Sequence, residues 1–301
     1  MSKLKSLKTL SLIALLFVII FSVISCSDKK EEVSEKQKEE VNYNSELKKI
    51  EEKYGVKLGI YALDENSNKE VTYNEDSRFA YCSTSKALLA GAILEKYSLK
   101  DLDKVIKYSE KDLLSYAPIT KEHVKSGMTI KELCEAAVRS SDNTAANLLF
   151  NLLGGPKGFK ESFLKIGDNI TTPERIEPEL NSAIPGDSKD TSTPKQLALD
   201  LKEYLTGDTL SNEKKELLKE WMSKNKTGDN LIRKGFTSDF EVFDKSGAGD
   251  FGTRNDIAMV TSKDKKPIFI SILSTKKEKD SKYNDSVISD SAKVTSDYFN
   301  N

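Results

Sequence analysis

The chain has 301 residues, of which 32% are charged, and its formal net charge is −1. That length fits one large domain or two closely packed ones with an ample core. The balanced charge gives no electrostatic reason to expect a nucleic-acid partner. The single histidine, His123, cannot supply the ligand cluster of a zinc hydrolase or a histidine-based catalytic triad. We therefore expect no metal site and no cofactor.

The N-terminus has the features of a bacterial export signal. Three lysines lie within the first eight residues, residues 10–24 carry no charge, and the next charge is Asp28. The uncharged stretch is followed by a Val-Ile-Ser-Cys tetrapeptide ending at Cys26, which resembles the lipobox in which the cysteine is diacylated and becomes the mature N-terminus. We predict a lipoprotein signal peptide over residues 1–25 and lipidation of Cys26. The alternative is an uncleaved signal anchor, since a bilayer requires roughly 20 apolar residues.

The segment that follows Cys26 cannot fold on its own. Residues 28–40 are rich in Lys and Glu and have no aromatic residue, proline or glycine. We therefore predict a charged flexible tether over residues 26–44 and a folded domain over residues 45–301. Because two acyl chains suffice for stable anchoring, we expect an exported protein on the outer face of the cytoplasmic membrane, or on the periplasmic side of an envelope membrane, with some of it released.

The folded region begins with strand patterns and continues with helices. Residues 56–63 and 70–73 have the composition of two strands around an Asn-rich turn. Thr129 and Glu132 form a capping box at the start of a helix. The apolar residues 144–153, closed by two glycines, predict another helix.

A long irregular segment interrupts this helical centre. Residues 170–190 have neither helical nor strand periodicity and contain three prolines. A loop of that length inside a compact domain is usually functional. Further helices are predicted to begin at Pro194 and to run from a cap at Ser211 to Lys224.

The C-terminal third returns to strands and ends in a helix. Strand patterns occupy residues 240–245, 253–261 and 267–273. The last helix is predicted to carry one apolar face, made of Tyr283, Val287, Ile288, Ala292 and Phe299.

Strands at both ends with helices between them predict an α/β (α+β) architecture in which the two ends pair in one antiparallel sheet. We assign residues 45–80 and 208–301 to this α/β lobe and residues 81–207 to a helical lobe. The functional site is then expected in the cleft between the lobes. We expect the protein to be a monomer.

Four short motifs occur in a fixed order and carry the chemistry. They are Ser83-Thr84-Ser85-Lys86, Ser141-Asp142-Asn143, Glu177-Pro178-Glu179-Leu180-Asn181 and Lys245-Ser246-Gly247. The first and last patterns recur elsewhere in a chain so rich in Ser and Lys, so the context of each copy decides. Only Ser83 follows an aromatic, apolar approach and opens a long apolar helix, which places Lys86 one turn further on the same face. Only Lys245 continues a strand-like alternation.

These motifs resemble those of the class A serine β-lactamases, in a penicillinase-like, lipoprotein form. The resemblance runs from about Leu47 to the C-terminus. Longer matching stretches are residues 82–89, 141–149, 175–181 and 244–249. It implies a β-lactamase/transpeptidase-like fold, with a five-stranded antiparallel sheet flanked by helices and an all-helical lobe. The implied reaction is hydrolysis of the β-lactam amide of penicillin-type antibiotics through a serine acyl-enzyme, which confers resistance.

The resemblance also implies catalytic roles. Ser83 is the nucleophile, and the helix dipole at its position favours developing negative charge on the serine oxygen. The backbone N–H groups of Ser83 and Ala248 form the oxyanion hole. The base that deprotonates Ser83 is either Lys86 or Glu177 acting through a water. Ser141 passes a proton to the leaving nitrogen, and Glu177 is the general base of deacylation.

Substrate-binding roles are implied for a second set of residues. These are Tyr116 as a cleft wall, Asn143 and Asn181 as amide donors, and Lys245, Ser246, Gly247 and Arg254 around the substrate carboxylate. Asn181 also holds the hydrolytic water together with Glu177. Arg175 and Asp190 are expected to form the ion pair that closes the neck of the 170–190 loop. Gly249 and Asp250 resemble the penicillinases more than the extended-spectrum enzymes.

Cys82 and Cys134 are expected to be buried thiols. Some carbapenem-hydrolysing relatives pair the cysteine before the serine with one at the position that is Gly249 here. Another disulfide found in relatives joins a cysteine at the Cys134 position to one at the position that is Ala90 here. Neither partner is present.

Two other functions use the same fold. A penicillin-binding D-alanyl-D-alanine carboxypeptidase also acylates a serine, but the Glu177–Asn181 pair argues against it. A non-catalytic lipoprotein that binds cell-wall fragments would not need Lys86, Ser141 and Lys245.

Overall fold

The computed structural model describes residues 43–263 and 265–300. Its chain divides into two compact units, Met1–Ser45 and Glu46–Asn301. Cys26 and most of the predicted tether lie outside the described residues. Of the first unit, only residues 43–45 are described, and they are helical. The account that follows concerns the second unit.

The strands and helices follow in the order below. The strands are β1 (Lys57–Asp64), β2 (Lys69–Tyr73), β3 (Phe79–Ala80), β4 (Val105–Ile106), β5 (Met128–Thr129), β6 (Thr191–Ser192), β7 (Phe240–Gly249), β8 (Thr253–Ser262) and β9 (Ile268–Thr275). The helices are α1 (residues 43–54), α2 (Ser85–Lys96), α3 (Ile130–Ser140), α4 (Asn143–Leu153), α5 (Gly155–Lys165), α6 (Pro194–Thr206), α7 (Asn212–Ser223), α8 (Ile232–Gly235) and α9 (Asp285–Asn300).

One antiparallel sheet joins the two ends of the chain. Its strand order is β2-β1-β9-β8-β7, and the central pairing places Ile60 opposite Ile272. Nearly every residue of β9 is buried, on both faces of the strand. Such burial requires cover on each face, and α6 and α9 both pack on β9. The predicted α/β fold with a five-stranded antiparallel sheet is confirmed.

Helix α2 is the centre of the helical part. Its residues from Ser85 to Leu94 are all buried, and α3, α4, α5, α6 and α7 each contact it. A helix that is apolar on every side is expected in such a position. Because α2 is enclosed, Lys86 in its first turn is held inside the protein. Helix α6 contacts both α2 and the sheet, and the predicted lobe boundaries stay a prediction.

The helix ends follow the predicted capping signals closely. Thr129 and Glu132 exchange both hydrogen bonds of a capping box at the start of α3. Gly154 adopts the left-handed conformation that ends α4, with φ of 96°. Helix α6 begins at Pro194, and Ser211 stands at the N-cap of α7, although its side chain makes no capping bond.

The last helix corrects one prediction. Val287, Ile288 and Ala292 are buried as expected. Tyr283, however, precedes the helix and is 49% exposed, and Phe299 is only partly buried. Tyr283 lies two residues before the start of α9 at Asp285, so the helical spacing of the apolar face does not extend to it.

We predict that Gly91→Ala destabilises the fold. Helix propensity alone would favour alanine in α2 by about 1 kcal/mol. A Cβ at this position would lie 2.7 Å from Cγ of the buried Tyr204 ring, however, and overpacking costs about 1–3 kcal/mol. Urea unfolding should therefore show a lower free energy of unfolding. The same change in a Tyr204→Leu background should cost less, and a more stable Gly91→Ala protein would contradict the packing argument.

Candidate active site

A cleft of about 470 Å³ gathers most of the predicted site residues. Its lining includes Ser83, Tyr116, Ser141, Asn143, Asn181, Ser246, Gly247, Ala248 and Arg254. Thr227 and Tyr283 also line it, and neither was predicted. Lys86, Glu177 and Lys245 are buried against this cleft, as the contacts below show.

Ser83 lies in a short 3-10 turn, Cys82–Thr84, that leads directly into α2. It is 9% exposed, so its hydroxyl is partly accessible at the floor of the cleft. Lys86 Nζ lies one turn further and donates a 2.8 Å hydrogen bond to Ser83 Oγ. The predicted helical spacing therefore places the amine against the hydroxyl.

Lys86 connects three of the four motifs. Its Nζ lies 2.6 Å from Asn143 Oδ1, 3.3 Å from the Ser141 carbonyl and 2.6 Å from Glu177 Oε1. Only 1% of its side chain is exposed. Burial lowers the pKa of Lys86, and the charge of Glu177 opposes that shift. The buried amine is thus held between an anion, an amide and a serine hydroxyl.

Ser141 stands at the junction of α3 and α4, in the left-handed conformation with φ of 55°. Asp142 fixes this junction, because its buried carboxylate accepts the N–H groups of Ala145, Ile119 and Thr120, each at 2.9 Å. Asp142 is therefore the N-cap of α4 as well as a tie to the preceding loop. The Ser141 hydroxyl is left facing the cleft.

Lys245 is fully buried on β7. Its Nζ donates to Ser141 Oγ at 3.2 Å and to the Ser246 carbonyl at 2.7 Å. Burial, followed by the charge of Lys86, lowers the pKa of Lys245 to about 7. The ammonium charge of Lys245 is consequently sensitive to pH near neutrality.

Glu177 is 2% exposed and is held at both its backbone and its side chain. Asn147 on α4 accepts the Glu177 N–H at 2.9 Å and donates to the Glu177 carbonyl at 2.8 Å. Asn181 Nδ2 donates to Glu177 Oε2. Asn147 was missed by sequence reasoning. The available signal was its spacing of four from Asn143, which puts both amides on one face of an otherwise apolar helix.

Arg175 and Asp190 lie in contact at the neck of the 170–190 loop. Arg175 Nε donates to Asp190 Oδ2, and the guanidinium also lies 3.2 Å from Asp187. Asp190 is fully buried and accepts further bonds from the Tyr81 hydroxyl, at 3.1 Å, and from the Arg175 N–H. The ion pair is therefore part of a larger closure that includes Tyr81 and Asp187.

Arg254 on β8 is held by groups that sequence reasoning did not identify. Its Nε donates to Asp285 Oδ1 at 2.7 Å, and its guanidinium lies 4.8 Å from the centre of the Tyr283 ring. Thr227 and Ser246 share a 2.6 Å hydrogen bond between their hydroxyls in the same part of the cleft. The ring of Tyr283 thus stacks on Arg254 instead of joining the core.

Two glycines let β7 approach the turn that carries Ser83. A Cβ on Gly247 would lie 3.1 Å from the Ser83 nitrogen, and one on Gly249 would lie 2.5 Å from the Asn181 carbonyl and 2.8 Å from Cys82 Sγ. Side chains at these positions would push β7 away from the turn. Ala248, between the two glycines, is thereby kept beside Ser83.

Tyr116 is 48% exposed and lies on the rim of the cleft. Its carbonyl accepts the Asn143 N–H at 3.0 Å, which ties the rim to the second motif.

Cys82 and Cys134 are both buried free thiols, as predicted. Burial raises the pKa of each thiol. A Cβ added at Gly249 would lie 2.8 Å from Cys82 Sγ, so these two positions are side by side.

Within residues 43–263 and 265–300, no group of three or more His, Cys, Asp or Glu side chains is placed to hold a metal ion. Over the same residues, none of the helices has the length and apolar character needed to span a membrane.

Comparison with known proteins identifies the family. The sequence model of the β-lactamase enzyme family matches residues 42–299. The chain is 50% identical to a β-lactamase of Bacillus subtilis (strain 168), over 83% of this chain and 82% of the relative. It is 48% identical to β-lactamase 3 of Bacillus cereus, over 83% of this chain and 79% of the relative. The structure matches a crystal structure of a class A β-lactamase from Clostridium kluyveri DSM 555 with a TM-score of 0.86 and 54% identity, covering 87% of this chain and 100% of that one.

The chain belongs to the class A β-lactamase family. The predictions of family, fold and enzyme class are confirmed, and the protein is a serine β-lactamase that hydrolyses β-lactams and so confers resistance. The carboxypeptidase and the non-catalytic lipoprotein, which were the alternatives, are not what this family membership indicates.

Proposed function

We propose that this β-lactamase hydrolyses penicillin-type antibiotics through an acyl-enzyme on Ser83, with Glu177 as the general base that frees it. The observation that carries the proposal is the position of one buried amine: Lys86 Nζ contacts both Ser83 Oγ and Glu177 Oε1. The nucleophile and the base of hydrolysis are thereby joined through a single group.

Activation of Ser83 can follow two routes with one net result. In the first, Lys86 gives a proton to Glu177 and then takes the proton of the Ser83 hydroxyl. In the second, Glu177 takes that proton through a water. Both routes end with Ser83 deprotonated, Glu177 protonated and Lys86 charged. Either route therefore leaves the site with the same distribution of charge as Ser83 attacks the β-lactam carbonyl.

Ring opening requires stabilisation of the oxyanion and a proton for the leaving nitrogen. The backbone N–H groups of Ser83 and Ala248 supply the oxyanion hole, a contribution of about 3–4 kcal/mol per donor in comparable sites. The Ser141 hydroxyl delivers the proton, since it lies within 3.2 Å of Lys245 Nζ, from which it is resupplied.

Deacylation uses a water held by Glu177 and Asn181. The proton that Glu177 took during acylation first replaces the one that Lys245 supplied to the leaving nitrogen, so Glu177 is ionised again. Glu177 then takes a proton from the water as the water oxygen attacks the acyl carbon, and it returns that proton to Ser83 Oγ as the acyl bond breaks. The hydrogen bonds from Asn147 to the backbone of Glu177 hold the carboxylate at the required depth.

Recognition of the substrate involves both sides of the cleft. Lys245, Ser246 and Arg254, with Gly247 leaving room for close approach, bind the carboxylate of the antibiotic. Thr227 joins this group through its hydrogen bond to Ser246. Asn143 and Asn181 bind the side-chain amide, and Tyr116 forms the wall. The small Gly249 supports a penicillinase-like preference.

The enzyme acts outside the cytoplasmic membrane in this proposal. The sequence pattern ending at Cys26 supports diacylation, and the charged residues 28–40 support a tether between the lipid and the catalytic domain. The catalytic domain then acts as a monomer on antibiotic that has not yet reached its target.

Two substitutions should separate acylation from deacylation. Ser83→Ala should abolish covalent labelling by penicillin. Glu177→Ala should still acylate, because the loss of this carboxylate removes the charge that raises the pKa of Lys86 and leaves the amine as base. Its deacylation should slow by about 10²–10⁴-fold. Intact-protein mass spectrometry should show a lasting penicilloyl adduct.

The matched control is Glu179→Ala, an exposed carboxylate in the same loop. It should turn over penicillin like the wild type. Wild-type turnover by Glu177→Ala would remove the hydrolytic role given to this residue.

The pH dependence of kcat/KM should reflect the protonation of the Lys245 amine. With a pKa of about 7, its ammonium is charged below that pH and neutral above it. The attraction for the substrate carboxylate is therefore lost as the pH rises through 7, and kcat/KM, which reports the free enzyme, should fall. Lys245→Arg stays charged throughout this range and should flatten the fall. A wild-type profile that is flat from pH 6 to pH 9 would contradict this assignment.

Cys26 should carry the lipid. Labelled palmitate should be incorporated into the wild type and recovered in the membrane fraction, whereas Cys26→Ala should be released or stay unprocessed. Cys134→Ala, which removes a buried thiol, serves as the control and should be labelled normally. Unlabelled wild-type protein would exclude the lipoprotein form.

A further inference from the structure

Asp168 and Asp200 form a buried acidic pair outside the catalytic cleft. Asp168 follows α5 and is fully buried, and Asp200 on α6 is 2% exposed. None of the ion pairs among the described residues includes Asp168 or Asp200, and the lysines Lys165 on α5 and Lys202 on α6 pair with Glu95 and Glu65 instead. Two buried acids without a cationic partner are unusual, because an isolated buried carboxylate is strongly unfavourable.

One oxygen of each carboxyl group has ordinary partners. Asp168 Oδ1 accepts the N–H groups of Ile170 and Thr171 at 2.6 and 3.0 Å. Asp200 Oδ1 accepts Nε2 of Gln196 at 2.7 Å. These bonds fix the orientation of both groups.

The second oxygen of each carboxyl group, Oδ2, has no such partner among the described residues. Asp168 Oδ2 and Asp200 Oδ2 are both buried, and no donor in the described part of the chain reaches either of them. Asp168 nevertheless acts on Asp200 both through its charge and through a side-chain hydrogen bond, and each raises the pKa of Asp200. Two ionised carboxylates have only acceptors, so a bond between them requires a proton on one. A single proton satisfies both oxygens at once.

The surroundings favour one charge over two. Lys160 on α5 is the cation that acts on Asp200. Burial, followed by the charges of Glu95, Asp200, Glu203 and Asp168, raises the pKa of the neighbouring Tyr204 hydroxyl. Lys160 Nζ donates a hydrogen bond to the Thr171 carbonyl. Burial and then the charge of Asp168 raise the pKa of Asp200 well above its ordinary value.

We propose that Asp168 and Asp200 share one proton, donated by Asp200, and that this carboxyl–carboxylate pair is a positioning pair for deacylation because it fastens the start of the 170–190 loop to α6. The positioning role rests on the function proposed above for Glu177, whereas the shared proton does not.

A continuous set of contacts leads from the pair to the loop. Asp168 holds the N–H of Thr171, whose hydroxyl lies 2.7 Å from that of Ser192. The carbonyl of Thr172 accepts the Asp190 N–H at 2.7 Å, and Asp190 binds Arg175. Arg175 is two residues from Glu177. The start of the loop is thus tied to its end, two residues from the proposed base.

The sign of the pH effect follows from the shared proton. The native protein keeps this proton at pH values where the unfolded carboxyl, with a pKa of about 4, has released it. Stability therefore falls as the pH rises from about 4 toward the native pKa of Asp200 and levels off above it. Above that pKa both groups are ionised and repel each other, which loosens the start of the loop.

The first experiment tests the proton itself with Asp200→Asn. The amide donates permanently to Asp168 and its oxygen still accepts from Gln196, so the variant should fold and lose the pH effect. Urea unfolding across pH should show the unfolding equilibrium constant of the wild type rising by up to about tenfold per pH unit relative to the variant. The infrared spectrum of the wild type should contain a protonated-carboxyl C=O band that the variant lacks.

Asp239→Asn, which removes an exposed carboxylate, is the control and should show neither change. If Asp200→Asn fails to fold, Asp168→Asn answers the same question, since its amide donates to an ionised Asp200. A pH-independent difference in stability, together with an unchanged infrared band, would overturn the shared proton.

The second experiment tests the positioning role by single-turnover kinetics with penicillin. At alkaline pH the wild type should lose deacylation rate relative to Asp200→Asn, while the acylation rates of the two proteins stay equal. Equal deacylation in both would overturn positioning even where the proton is present. If Glu177→Ala deacylates normally, the proposed function fails instead, and the unfolding and infrared results are unaffected.

Discussion

The burial of the Lys86 ammonium is the constraint on which the active site depends. A charge this deep needs a counter-ion and full hydrogen bonding, and Glu177, Asn143 and Ser83 provide them. These three residues belong to three separate segments. Removing one partner of a buried ion pair typically costs about 3–5 kcal/mol. The contacts of the Lys86 amine therefore hold the α3–α4 junction and the 170–190 loop against α2. The geometry needed for catalysis and the geometry needed to bury the lysine are the same.

A second buried lysine in the same cleft makes the charges interdependent. The charge of Lys86 lowers the pKa of Lys245, whereas Asp244 and Asp256 raise it. Asp244 is itself held by Arg233 and Asn225, each at 2.5 Å. A proton that moves at Lys86 therefore changes the affinity of Lys245 for its own proton. Acylation and substrate binding consequently share one electrostatic balance.

The sequence predicts those features whose causes are local. The Ser83–Lys86 contact follows from helical spacing, the start of α3 from a capping box, and the strands of the sheet from alternation and composition. Thr227 and Asp285 were missed because the tertiary fold brings their partners to them, and no local sequence pattern indicates those contacts. Asn147 was missed although its spacing from Asn143 is a local pattern, because its partner, the Glu177 backbone, is distant in sequence. Tyr283 was placed on the apolar face of α9 from its spacing alone, but its ring stacks on Arg254 instead.

The 170–190 loop illustrates why such a segment has no regular pattern of its own. Its regular structure is one short 3-10 turn, Glu179–Asn181, because its backbone must present Glu177 to Lys86 while Asn147 binds the backbone polar groups of that residue. Two contacts order it: the ion pair between Asp190 and Arg175 inside the loop, and the proposed pair that joins Asp168 to Asp200 on α6. The first contact depends on opposite charges and is weakened by salt only slightly where it is buried. The second depends on a proton. A loop held by these two contacts keeps Glu177 in place although the loop has no hydrophobic core of its own. The buried acids Asp168, Asp190 and Asp200 are the unfavourable consequence, which a segment without a functional role would avoid.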